Sequence, residues 1–408
     1  MGISKELLEI LACPACKKEV YNRGRANLNP LVTILMPVYN GGEYLRHSIE
    51  SILSQTYKDF EFLIINNHST DNSLEIIQSF NDSRITVYSN SVNLGQTKSL
   101  NIGLGLAKGR YIVINDADDL SLPHRVETQL DFILKHPEYV VVGTSGFIMD
   151  HMGTIKRTYL KHVMSKEIIL SILDDSPIIH GSVIMDKEAI LACGGYNEEF
   201  KICQDYELWS SLIRKGYSII NIPDITVIIR LHSNSVSFRE KDMLTIENER
   251  IIYENITALT NLKISFDEAV RQRLFFASPQ HLHKDEFKNA EELFIKEYEN
   301  LRDRNIFGTN FLSDSLKKKL SESYLKFIVA KIEKGEKKEA RDISYYFLDR
   351  YGFSAMPFLF WIISYNNKIF LDVLLALYRK WQAFQAKFSI ALIRCKRRLI
   401  IFRLSEKS

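Results

Sequence analysis

An apolar run that ends in three carboxylates constrains this chain most: Tyr111-Ile-Val-Ile-Asn115-Asp116-Ala117-Asp118-Asp119. A short run of this kind fits a buried strand. Carboxylates at the C-terminal end of a strand lie where open α/β sheets bind their ligands. On an extended chain Asp116 and Asp118 point to the same side. Two such groups can hold a hard divalent cation that keeps its other positions for substrate phosphates. The plain alternative is an acidic turn in which Asp119 caps the next helix.

The flanking sequence alternates between strand-like and helix-like patterns, which predicts a mostly parallel sheet covered by helices. Strands are expected at Val32–Met36, Phe60–Ile65, Ile85–Tyr88 and Tyr111–Asn115. Helices are expected at Tyr44–Ser54, Asp71–Phe80, Lys98–Ala107 and Asp205–Lys215. Beyond residue 240 the apolar residues recur at three and four, and Ser323–Lys334 with Lys337–Arg350 reads as a helical hairpin. Four segments follow: an extension over 1–29, an α/β domain over 30–240, a helical region over 241–352 and an aromatic, basic tail over 353–408. The helical region suits support of the α/β domain or an oligomer contact, and the sequence leaves both open.

An ordered motif series surrounds the acidic run. Pro37-Val-Tyr39-Asn40-Gly-Gly and Asn66-Asn67-His68-Ser69-Thr70-Asp71 lie upstream, followed by Asn93-Leu-Gly95-Gln-Thr-Lys98. His180-Gly-Ser182, Gly194-Gly195-Tyr196, Gln204-Asp205 and Arg230-Leu-His232 lie downstream. In this order and spacing the series resembles the inverting glycosyltransferases of family 2. The resemblance covers residues 30 to 240 and implies a GT-A type, Rossmann-like fold with a mixed, mostly parallel sheet.

The same resemblance implies an enzyme that moves a sugar from a nucleoside-diphosphate donor, expected to be a UDP-sugar, to a hydroxyl acceptor. Pro37 and Tyr39 fall in the nucleotide pocket, where Tyr39 lies along the base or packs under its loop. Asn66-Asn67 stand where the family carries two aspartates. An amide at Asn67 both donates and accepts, so it meets uracil more weakly or suits another base edge. Loss of activity is the third alternative. Lys98 is expected as a point charge near the diphosphate. Asp116 falls near the ribose, and Asp118 is the direct ligand for Mg²⁺ or Mn²⁺, with His232 a further ligand or a phosphate contact. Asp205 is the general base, although a helix N-terminal aspartate also serves as a cap. His180 and Ser182 line the acceptor side, and Trp209 belongs to the core.

The formal net charge is +3, but it is unevenly placed. Residues 376–408 hold nine basic residues against Glu406, a net of +8 that leaves −5 for the rest. Trp381, Phe384 and Phe388 interleave with that charge, as in a basic amphipathic helix lying on an anionic membrane. Each basic residue near such a surface adds roughly 1 kcal/mol. The alternative is a packed terminal helix with a solvated basic face. Five scattered cysteines do not describe a disulfide framework and fit a reducing cytosol. The start of the chain lacks a secretory apolar region, and no run of about 18 apolar residues occurs. A peripheral position on the inner face of the cell membrane is therefore expected, with a lipid-linked or polysaccharide acceptor. Leu7–Lys17 resembles the start of Trm112-like zinc-ribbon proteins, but Cys13 and Cys16 form one pair where zinc takes four ligands. That shortage and the tail's lipid-like aromatics argue against a nucleic-acid partner. A non-catalytic, sugar-nucleotide-binding scaffold of a polysaccharide assembly complex is the rival from another class.

Overall fold

The computed structural model describes residues 31–351 apart from 162–164, 234 and 304–308. The Cys13–Cys16 pair, Cys395 and the basic tail lie outside the described residues. The chain forms two compact units, Met1–Ile251 and Ile252–Ser408.

The first unit is a nine-stranded sheet with helices against it, the GT-A type expected. Its first half contains β1 (Val32–Val38), α1 (Gly42–Leu53), β2 (Phe60–Asn66), α2 (Ser73–Gln78), β3 (Ile85–Ser89), α3 (Gln96–Leu106) and β4 (Tyr111–Ile114). β1 and β2 are nearly continuous apolar runs, as strands covered on both faces must be. They pair in parallel from Val32 opposite Phe60 to Val38 opposite Asn66, and β4 lies parallel on the other side of β1. The amphipathic α1 buries Leu45, Ile49 and Ile52 on this sheet. The C-terminal ends of β1, β2 and β4 therefore open on one rim.

The acidic run ends its strand earlier than expected. β4 stops at Ile114, and Asp116 to Asp119 form a turn closed by the Asp119 N–H on the Asp116 carbonyl, 3.3 Å. The expectation that Asp116 and Asp118 share one side of a strand fails for that reason. Asp119 does not cap the next helix. It leads into β5 (Leu120–Ser121), and α4 (Arg125–Lys135) starts later.

The second half of the sheet is made by β6 (Tyr139–Asp150), β7 (Ile155–Tyr159), β8 (Ile184–Asp186) and β9 (Ser218–Leu231). The order is β3-β2-β1-β4-β8-β6-β9-β5, with β7 beside β6. β8 is antiparallel to β4 and β6, whereas β6 and β9 are parallel. Register shifts near Thr144 to Gly146 bend the long β6–β9 pair. β5 then pairs with β9, Leu120 opposite Ile228, which brings the end of β9 beside the acidic turn. Between these strands lie α5 (Ser165–Ser171), α6 (Lys187–Cys193) and α7 (Gln204–Arg214). After β9 come α8 (Val236–Arg239) and α9 (Lys241–Thr260).

The second unit is helical, as the three-and-four spacing predicts: α10 (Phe266–Ala277), α11 (Lys284–Asp303), α12 (Thr309–Glu333) and α13 (Lys337–Tyr351). Ser265 and Glu268 form a capping box that starts α10. Phe275, Phe287, Phe294, Tyr324 and Phe327 form its aromatic core. Among the described residues no helix is long and apolar enough to cross a membrane.

Candidate active site

The acidic turn is held from below by Arg125, whose side chain is completely buried. Its guanidinium has five N–H donors, and each one is used. Nε donates to Gln129 Oε1, Nη1 to Asn115 Oδ1 and Ser121 Oγ, and Nη2 to the carbonyls of Ile114 and Val183. One side chain thus ties the end of β4, β5 and the entry to β8. Burial pulls the Arg125 pKa down to about 9, against the attraction of Asp116 and Asp119. Arg125 escaped the sequence reading, yet a signal was there. Arg125 and Gln129 stand four apart and in phase with Val126, Leu130 and Ile133, so polar groups occupy the buried face of α4.

The three carboxylates of the turn face different partners. Asp116 Oδ1 lies 3.9 Å from His180 Nδ1. Asp118 Oδ2 lies 2.8 Å from His232 Nε2. Asp119 is buried, and its Oδ1 accepts the Arg230 N–H at 2.9 Å. The Arg230 guanidinium lies 4.4 Å over the Tyr44 ring, and Tyr44 also flanks His232. Burial pushes the Asp119 carboxyl well up, and repulsion from Asp118 and Asp116 adds to it.

Gly181 makes room for these groups. A Cβ there would meet Asp116 Oδ2 at 2.9 Å and Asp119 Oδ2 at 3.3 Å, so a side chain would displace the turn. The short 3₁₀ turn His180–Ser182 is thereby pressed against the acidic residues.

Asp205, the second residue of α7, lies close enough to His180 and Asp116 to act on both electrostatically. Burial pushes its carboxyl up, while His180, the N–H of Tyr206 and Lys161 pull it down. Burial raises Asp116 too, and Asp205 and Asp118 repel it while His180 lowers it. His180 is therefore attracted by two carboxylates from elements far apart in sequence. Its Nε2 pairs with the buried Tyr196 hydroxyl at 2.9 Å. Burial, then Asp205 and Asp116, push the Tyr196 hydroxyl well above its ordinary range. Tyr196 follows Gly194 and Gly195, whose φ values of 104° and 73° suit glycine.

The remaining expected residues divide. Pro37, next to last in β1, is partly buried, and Tyr39 keeps 48% of its surface exposed, so its ring is open rather than packed under the loop. Lys98 faces Glu198 at 3.8 Å, both half exposed. Trp209 is fully buried in the core, as expected.

Two of the expected residues are engaged within the protein. Asn67 is buried, and its Oδ1 accepts from both Asn90 Nδ2 and the Leu94 N–H, each at 2.9 Å. Its Nδ2 donates to Asn93 Oδ1 at 2.7 Å. Both lone pairs of the amide oxygen are thus used internally. Ser182 is fully buried, and its hydroxyl serves the Thr144 and Ile179 carbonyls and the Thr144 N–H. It braces β6 and does not line a cleft.

Among the described residues no three His, Cys, Asp or Glu side chains gather as a metal cage. Asp118 and His232, hydrogen-bonded to each other, could offer two donors to a cation. Two protein donors suit Mg²⁺ or Mn²⁺, which take substrate phosphates and water as their other ligands.

The mixed, mostly parallel sheet flanked by helices is of the GT-A type. The chain belongs to glycosyl transferase family 2, whose model matches residues 33–193. EpsE of Bacillus subtilis, named as a glycosyltransferase, is 30% identical over 66% of this chain and 99% of its own length. WfgD of Escherichia coli, a UDP-Glc:α-D-GlcNAc-diphosphoundecaprenol β-1,3-glucosyltransferase, is 29% identical over 51% of this chain and 79% of its own. Among solved structures, residues 1–349 of S. aureus TarS with UDP-GlcNAc match at a TM-score of 0.48 and 16% identity, over 74% of this chain and 92% of that one.

Proposed function

We propose that this glycosyltransferase moves a sugar from a UDP-sugar to a hydroxyl group, with inversion at the anomeric carbon. The nearness of Asp116 to His180, 3.9 Å apart, with Asp205 close enough to act electrostatically on both, carries this reading. One carboxylate faces the donor rim, and the other has the raised basicity a general base needs. Asp205 takes the proton of the acceptor hydroxyl as its oxygen attacks the anomeric carbon. The bond from that carbon to the diphosphate oxygen breaks, and its electron pair leaves with the nucleoside diphosphate. Attack from the face opposite the leaving group inverts the centre.

Asp116 serves the ribose and the open Tyr39 ring serves the base, with Pro37 shaping the strand end. Lys98 exchanges Glu198 for a donor phosphate. Asn67 acts indirectly, by fixing the loop from Asn90 to Leu94 next to the pocket. Asp118 and His232 would hold Mg²⁺ or Mn²⁺ against the diphosphate, and a bound cation supplies Lewis-acid stabilisation of the departing charge. His180 lies on the acceptor side of the turn. Residues 30–240 are the catalytic domain in this account.

The acceptor is a lipid-linked sugar of cell-surface polysaccharide synthesis, as the activity named for the E. coli relative supports. The basic, aromatic residues of 353–408 would hold the enzyme at an anionic membrane surface. The test is transfer of radiolabel from a panel of nucleotide sugars to lipid-linked acceptors, with Asp118→Ala and Asp205→Asn as controls. Transfer that survives in both variants, or none in wild type, would refute the assignment. The scaffold reading keeps one observation in its favour, the internal use of the Asn67 oxygen, and donor binding without turnover would establish it.

A further inference from the structure

The helix that carries Asp205 has an unusual anchor. Helix starts leave backbone N–H groups without intrahelical partners, and a side chain from the same segment commonly accepts them. Here Cys203, at the cap position of α7, makes no side-chain cap. Instead, a carboxylate from α9 holds the Cys203 N–H and the two residues that lead into the helix. Glu247 Oε1 accepts the Lys201 N–H at 2.8 Å, and Oε2 accepts those of Ile202 and Cys203 at 2.9 and 2.8 Å. Glu247 is only 8% exposed, so these charge-assisted bonds are shielded from water. The same helix adds Arg250 to Glu199 at 2.6 Å, with Arg250 also 4.7 Å over the Phe200 ring.

The clamped segment joins two parts of the site. It begins at Tyr196, the partner of His180, and ends two residues before Asp205. On its other side α3 holds it through Thr97 to the Phe200 carbonyl and Asn101 to the backbone of Tyr196. The path of the chain into α7 is thus fixed by one carboxylate on one flank and by α3 on the other.

We infer that Glu247 is a positioning residue for Asp205, setting the entry of α7 so that the base carboxylate reaches the acceptor side of His180. This inference rests on the proposed role of Asp205. Glu247 touches no reacting atom. Its effect is on geometry, and a displacement of about 1 Å at a reacting group costs up to about 10²-fold in rate. A carboxylate is required because Glu247→Gln offers one oxygen and presents N–H groups to N–H groups.

The test uses the full chain with Mn²⁺ and a panel of UDP-glucose, UDP-GlcNAc, UDP-galactose and GDP-mannose, following nucleoside diphosphate release. Glu247→Ala is expected to lower kcat about 10- to 100-fold. The donor KM and the thermal shift given by UDP with Mn²⁺ stay as in wild type. Glu247→Gln is expected to fall between the two and serves if the alanine variant does not fold. In an Asp205→Asn background, Glu247→Ala is expected to cost no further rate, because the group it positions is gone. Wild-type kcat in Glu247→Ala with an inactive Asp205→Asn would overturn the inference alone. Full additivity in the double variant, or loss of the UDP shift, would also overturn it, as marks of general structural damage. An active Asp205→Asn, or a wild type inert toward the whole panel, would overturn the proposed base and this inference with it.

Discussion

At the residue scale, the chemistry turns on carboxylates kept partly out of water. Asp205 is raised by burial, so the fold favours its protonated form. Ionising it therefore costs stability; the cost is absent below about 4, grows as pH rises toward its folded-state value and levels off above it. Asp205→Asn is expected to raise the melting temperature near neutral pH, with the gain disappearing in acid, while transfer falls about 10²- to 10⁴-fold. Melting curves across pH together with label transfer check both halves. An aspartate whose removal weakens the fold near neutral pH would mean that its local hydrogen bonds outweigh burial. For the same reason the acid limb of kcat/KM is expected above the ordinary carboxylate range. Asp116, Asp118, Asp205 and His232 stood out in the sequence because their motifs follow a fixed order. The engagement of Asn67 was not, since its partners Asn90 and Leu94 lie across a turn that periodicity does not describe. Glu247 was hidden for a different reason: nothing on α9 announces that it accepts amides more than forty positions away.

At the element scale, the parallel half of the sheet read clearly because β1, β2 and β4 are short, uninterrupted apolar runs. β5 and β8 have two and three residues and owe their existence to neighbouring strands rather than to their own pattern. Arg125 binds these pieces to the acidic turn. Arg125→Lys keeps the charge but has three donors, so two buried acceptors lose partners. Each orphan costs about 1–3 kcal/mol, giving an expected loss of roughly 2–6 kcal/mol in urea unfolding. A change below 1 kcal/mol would show that the pocket re-forms around lysine. Gly181→Ala tests the packing of the 3₁₀ turn on the carboxylates. It is expected to lower kcat/KM about tenfold or more while the fold persists. Unchanged kinetics would mean that Asp116 and Asp119 can yield without consequence.

At the scale of the whole molecule, the account joins a catalytic unit to a basic terminal segment. Removal of residues 353–408 is expected to abolish flotation with vesicles containing anionic lipid, and a truncated chain that still floats would place the membrane contact elsewhere. The two compact units were foreshadowed by the change from alternating strand and helix to helix alone. The use of the helical unit was not, because a three-and-four repeat specifies a buried face without naming a ligand. The central claim is the donor site at Asp118. Its most direct test is thermal stabilisation by UDP, GDP, ADP and dTDP, with and without Mn²⁺, in wild type and Asp118→Ala. A ligand at a hundredfold excess over its Kd stabilises by about 2.7 kcal/mol. The account predicts a Mn²⁺-dependent rise with UDP that the variant loses. No rise with any nucleotide, or an equal rise in Asp118→Ala, would contradict it.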